Sequence, residues 1–265
     1  MEDQLFEISY AFNTFYTLMA GALVMWMAAG FTMLEAGFVR RRNTAEIVTK
    51  NIGLYSIACC MFLLAGYKAM YAGDSWRGII PDFDFSFGFS EFGGDASVQN
   101  LEDDGTPYYA SAADFFFQVV FVATAVSIVS GAVAERMNQW PFFGLAAVIA
   151  FFIYPVQGFW NWGGGFLTAD DGYGYSDYAG SGTVHLLGAA CALAAAIFIG
   201  PRVGKYSSDG KTNKLYGANI PIAALGTFIL WLGWFGFNGG SQLAIDTAEN
   251  ANAVAHVFMN TNLAA

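Results

Sequence analysis

Six stretches of this chain, approximately residues 10–36, 48–72, 114–134, 141–161, 180–200 and 219–239, are almost continuously apolar. An α-helix rises about 1.5 Å per residue, so about 20 such residues cross the hydrocarbon core of a bilayer. The runs do not alternate and are rich in Ala, Gly and Leu, which argues against barrel strands. A seventh run opens near Ala248 and meets the last residue, Ala265, so a seventh span cut short is expected. Charged residues make up 12% of the chain, against about 25% in a soluble domain. That is too little polar surface to cover a water-facing globule of this size. The expected fold is all-α, a polytopic transmembrane helix bundle with six full spans plus a truncated seventh, in a single domain over residues 1–265.

The distribution of charge orients the bundle. Nine of the eleven Lys and Arg fall between spans one and two (Arg40, Arg41, Arg42, Lys50), three and four (Arg136), or five and six (Arg202, Lys205, Lys211, Lys214). Positive loops stay in the cytoplasm, which places the N-terminus outside. The N-terminal segment carries Glu2, Asp3 and Glu7 and no basic residue, so it is not a cleaved signal peptide and the first run is a retained span. The outer segment 73–113 is acidic, with Asp74, Asp82, Asp84, Glu91, Asp95, Glu102, Asp103 and Asp104. It reads first as a solvated loop and secondly as a cation-gathering vestibule. No basic, aromatic-interleaved patch points to nucleic acid. Cys59, Cys60 and Cys191 sit in apolar runs without metal-ligand spacing and read as small buried residues. No nucleophile–base set stands out, so an enzyme is not expected, nor is a cofactor.

A few polar groups interrupt the runs. His185 lies about a turn and a half into the fifth, where an ionisable side chain is costly and faces a protein interior or a water-lined path. A neutral imidazole donates with one nitrogen and accepts with the other, which suits a small hydrogen-bonding solute or a proton relay. Asp177, eight residues earlier, fits a helix N-terminus; stabilising a cation at the outer mouth is the alternative. Trp160 and Trp162 read as an interfacial belt on residue type alone, but a Trp face at a pore mouth also attracts an ammonium-like cation. The glycines after Trp162 indicate a tight bend or a close approach. Ser241 can accept from a cation, and Phe237 can plug a narrow path. The stripe Phe115, Phe116, Phe117 and Phe121 reads as lipid-facing or core. His256 has no partner motif.

In order, "AGFTMLEAGFVRRRN", "FFFQVVFVATAVSIVSGAVAER", "WNWGGGFL", "DYAGSGTVHLLGAACALAAAIFIGPRVGKY" and "IPIAALGTFILWLGWFGFNGGS" resemble the ammonium transporter family (Amt/Mep/Rh) over essentially the whole chain. The resemblance implies that His185 is the first pore histidine and that Phe121 and Phe237 form an outer phenylalanine gate. It also implies that Trp162 and Ser241, with Phe121, recruit ammonium, that Asp177 is the acid behind that site, and that Trp234 lines the pore. Ammonium would give up its proton below the gate and cross as ammonia. Family members have about eleven spans as an inverted repeat, with a second pore histidine on the tenth. His185 therefore lacks that partner here, and a fragment of a longer protein is expected. The family further implies a homotrimer in the plasma (inner) membrane and a PII-type regulatory protein on the cytoplasmic side. The other readings are an ammonium sensor, with the same scaffold fused to a signalling domain, and an unrelated bundle with a structural histidine.

Overall fold

The computed structural model describes residues 2–72, 75–83, 109–168 and 173–265, with side chains from residue 4 at the N-terminal end. Among the described residues, six helices are long and apolar enough to cross a membrane. They are α1 (Glu2–Phe38), α2 (Arg41–Met70), α3 (Ser111–Val133), α4 (Gln139–Asn161), α5 (Ser181–Ile199) and α6 (Ile220–Gly240). A further helix, α7 (Ala248–Ala264), follows α6 and packs on it. The six match the apolar runs. α1 differs most, because it starts well before residue 10 and carries its polar first turns beyond the apolar segment.

α3 is the centre of the bundle: 78% of its most apolar window is buried, against 28% for α5 and for α6. It contacts α1, α2 and α5, while α1 lies along α6 for most of its length. That last contact depends on absent side chains. A Cβ at Gly226 would sit 2.7 Å from the Gly30 carbonyl oxygen, and one at Gly236 would sit 2.6 Å from that of Ala20. Small residues let backbones approach in lipid, where no hydrophobic force drives helices together. α6 starts at Asn219, whose side chain accepts from the Ile222 amide, with Pro221 in the first turn.

Three helices contain wider π turns: Phe62–Gly66 in α2, Ile149–Ile153 in α4, and Ser181–Leu186 at the start of α5. The last holds His185, and such turns often re-aim side chains at functional sites. Between α2 and α3 a two-stranded antiparallel ribbon, β1 (Ser75–Trp76) and β2 (Ile80–Pro81), pairs Ser75 with Pro81 and Trp76 with Ile80. Most of the acidic vestibule segment lies outside the described residues.

Two expectations are corrected. Lys50 is not a loop cation but lies inside α2, 3% exposed, facing α1 and α3. The cysteines are not fully buried: Cys60 is exposed and the other two are half-buried, since the flanks of α2 and α5 are not covered by the rest of the bundle.

Candidate functional site

The end of the bundle away from the basic loops is built around Asp177. Its Oδ1 accepts from the Gly180 and Ser181 amides at 2.9 and 3.0 Å, and its Oδ2 from Gly182 and Thr183 at 2.9 and 2.8 Å. Four otherwise unpaired donors at the head of α5 are thus satisfied by one carboxylate. Gly180 takes φ 95°, in the left-handed region that glycine enters without strain, and turns the chain into the helix. The Asp177 carbonyl oxygen accepts from Trp162 Nε1 at 2.9 Å. The acid therefore caps α5 and fixes the indole of Trp162, which turns inward; the belt expectation does not describe it. Trp160 donates to the Ile79 carbonyl at 2.6 Å, against the ribbon.

Trp162 stands edge-on to Phe121, ring centroids 6.2 Å apart. Phe121 in turn stacks on Phe237 at 4.0 Å with planes 25° apart. Both rings are 1% exposed, so part of the phenylalanine stripe is core. Beyond Phe237, His185 meets that ring edge-on at 5.3 Å and lies parallel to Trp234 at 6.3 Å. Its Nδ1 is 3.4 Å from the Gly180 carbonyl oxygen. Ser241 Oγ donates to the Phe237 carbonyl at 2.8 Å, which leaves its lone pairs free to accept.

Two cavities flank the stacked rings. One, of about 100 Å³, is lined by Phe121, Trp162 and Ser241 together with Gln118, Tyr71 and Tyr178. The other, of about 280 Å³, is lined by Phe237, His185 and Trp234 with Asn238 and Thr261. The seven residues to which the resemblance gives a role thus meet in one continuous constellation drawn from α3, α5, α6, the residues that end α4 and α6, and the segment before α5. His256, on α7, is exposed and apart from it.

Sequence reasoning missed three polar clusters. In one, Glu35 Oε2 accepts from Ser130 Oγ at 2.8 Å and Asn51 Nδ2 at 3.3 Å, and lies 3.7 Å from Lys50 Nζ, which donates to the Ser130 carbonyl at 2.9 Å. In the second, Glu135 accepts from the Arg40 amide and Nε, both at 2.9 Å, from Asn43 at 2.5 Å and from Arg202 at 3.4 Å. Burial opposes the Glu135 charge, but these donors outweigh it and hold the carboxyl below its usual range. The third surrounds Asp114, which is 1% exposed and accepts from Tyr67 and Tyr109. Glu35, Lys50 and Asp114 are charges within apolar runs, and that was the available signal.

The chain is thus a polytopic membrane helix bundle in which stacked phenylalanines lie between an aromatic cavity and one lined by an imidazole. Residues 15–265 match the Ammonium Transporter Family, and the chain belongs to that family. It is 42% identical over 257 residues to ammonium transporter Amt2 of Archaeoglobus fulgidus, covering 94% of this chain and 51% of that protein. To a putative ammonium transporter of Synechocystis it is 40% identical, covering 98% and 55%. The chain thus spans about half the length of these curated relatives. Among solved structures, one called Sensor Amt Protein superposes with TM-score 0.83 at 36% identity, covering the whole chain and 60% of that structure. Saccharomyces cerevisiae Mep2, at 23% identity and TM-score 0.71, shares the fold.

Proposed function

We propose that this chain forms one wall of a conduit that recruits ammonium at the Trp162 cavity and passes ammonia along His185. The observation that carries it is the stacked Phe121–Phe237 pair between the two cavities. An isolated ion in an apolar interior costs on the order of tens of kcal/mol. Cation–π attraction from Trp162 and Phe121 returns on the order of 2 kcal/mol, far less than that cost. A cation is therefore favoured at the mouth, where Ser241 also accepts a hydrogen bond, and disfavoured past the rings. Ammonium escapes this limit by leaving its proton behind; an alkali ion cannot. Phe121 and Phe237 must swing aside for ammonia to pass. Below them an Nδ1–H tautomer of His185, held toward Gly180, leaves Nε2 as an acceptor for ammonia, with Trp234 closing the side. Asp177 acts at one remove, through Trp162 and the head of α5.

In vesicles holding the protein expressed from its whole reading frame, His185→Phe is expected to lower methylammonium uptake about tenfold or more, equivalent to about 1.4 kcal/mol of barrier. Unchanged uptake would leave His185 a structural histidine and remove the proposal. The second reading, a sensor, is favoured by the similarity to Sensor Amt Protein. It predicts saturable ammonium binding to the purified protein without uptake in the wild type.

A further inference from the structure

The Trp162 cavity has a polar wall that the aromatic groups do not account for. Gln118, 8% exposed, lines it, and so does Tyr71. Gln118 lies one turn after Asp114 on α3. Its Oε1 is buried with no hydrogen-bond partner. The Tyr71 hydroxyl is likewise buried without a partner. Its ring packs edge-on against Tyr67 at 5.2 Å, and Tyr67 donates to Asp114 Oδ2 at 2.5 Å. Tyr109 donates to Oδ1 at 3.2 Å. Among the described residues Asp114 forms no ion pair. A buried acceptor without a donor is costly, and here two of them line one small cavity with a buried carboxylate behind. A cation rich in N–H groups donates to both and balances the charge of the carboxylate.

We propose that Asp114 is the counter-charge of the cation held in the Trp162 cavity, which donates to Gln118 Oε1 and to the Tyr71 hydroxyl. Its ligands are small monovalent N–H cations, ammonium and methylammonium. Asp114 is a positioning residue: it supplies negative charge without touching the ligand. The first turn of α3 lowers the cost of keeping that charge. This inference rests on the reading that the cavity receives the cation. The same bonds would otherwise serve only to tie α2 to α3.

The test is a methylammonium titration of the purified protein, expressed from its whole reading frame, read as the rise in melting temperature with ligand, with choline as the control. Asp114→Asn is expected to raise the half-saturating concentration about tenfold, equivalent to about 1.4 kcal/mol of binding. Asp114→Glu should restore part of the loss, and Tyr71→Phe should give a smaller weakening. If Asp114→Asn melts lower but titrates with the wild-type midpoint, the carboxylate only ties helices together and the proposal is wrong. If Asp114→Asn is not recovered folded, a wild-type midpoint in Tyr71→Phe overturns it equally. A wild type that shows no methylammonium response fails the functional reading itself, which separates the two.

Discussion

The two ends of this bundle bury acid in opposite ways. At the basic end, Glu35 lies beside Lys50, and Glu135 is bound by Arg40 and Arg202. At the other end, Asp114 and Asp177 are held by hydroxyls and backbone amides, and neither forms an ion pair with a described residue. Charge met by charge cancels and locks neighbouring segments; charge met by neutral donors keeps its field. The basic end is therefore fastened, and the far end stays attractive to a cation in the cavity between α3, α4 and α6.

The comparison is most exposed to attack at Lys50. Replacing it with Met strands Glu35 as a buried charge and should cost about 3–5 kcal/mol of stability. Combining it with Glu35→Leu removes both charges and should recover most of that loss, because a buried pair is rarely worth more than well-packed apolar groups. Thermal melting of the single and double variants in detergent checks this. If the double variant is as unstable as the single, the cluster does more than cancel charge.

Glu135 sharpens the same contrast through pH. Its backbone sits at φ 63°, a left-handed conformation unusual for a side-chain-bearing residue, and its bonds to Arg40, Asn43 and Arg202 hold it there. The folded carboxyl titrates below its ordinary value near 4.3. Its contribution is therefore complete above that value and is lost as pH falls through the lower, folded one. Glu135→Gln should cost about 1–3 kcal/mol at neutral pH and flatten the acid limb of a melting-temperature profile. A variant whose acid limb matches the wild type would show that other groups set it.

What could be read in advance follows from how local each signal is. The spans were legible because about 20 apolar residues in sequence need no partner to be recognised. The candidate constellation was legible as a unit only through a resemblance, since no periodicity brings Phe121, Trp162, His185 and Phe237 together from separate segments of the chain. Lys50 was misplaced because apolar runs blur at their edges: the helix continues back through Thr44, and the lysine lies within it, against α1 and α3. Residue type alone favours a belt for Trp162, and only the resemblance places it at the cavity, because an indole that faces lipid and one that caps a cavity have the same sequence context. Gln118 and Tyr71 carried no signal at all, because an unpartnered acceptor exists only once the fold has removed its water.

The smallest effect expected is at Asp177, and it distinguishes neutral-donor capping from charge. All four bonds to its carboxylate come from backbone amides at the head of α5. Asp177→Ala removes every acceptor and should cost about 1–2 kcal/mol, as for a strong N-cap. Asp177→Asn keeps one carbonyl acceptor and should lose about half as much. The Trp162 indole complicates the cut usefully, because it bonds the residue-177 backbone oxygen and not the side chain. If capping is the whole role, methylammonium binding should weaken in proportion to lost stability, through the loosened turn, and Asn should lie midway in both. If the charge itself draws the cation, Asn and Ala should weaken binding alike while their melting temperatures differ. The same pair of measurements on Asp114→Asn and Asp114→Ala should show the second pattern, and that difference between two acids at one mouth is what the structure predicts.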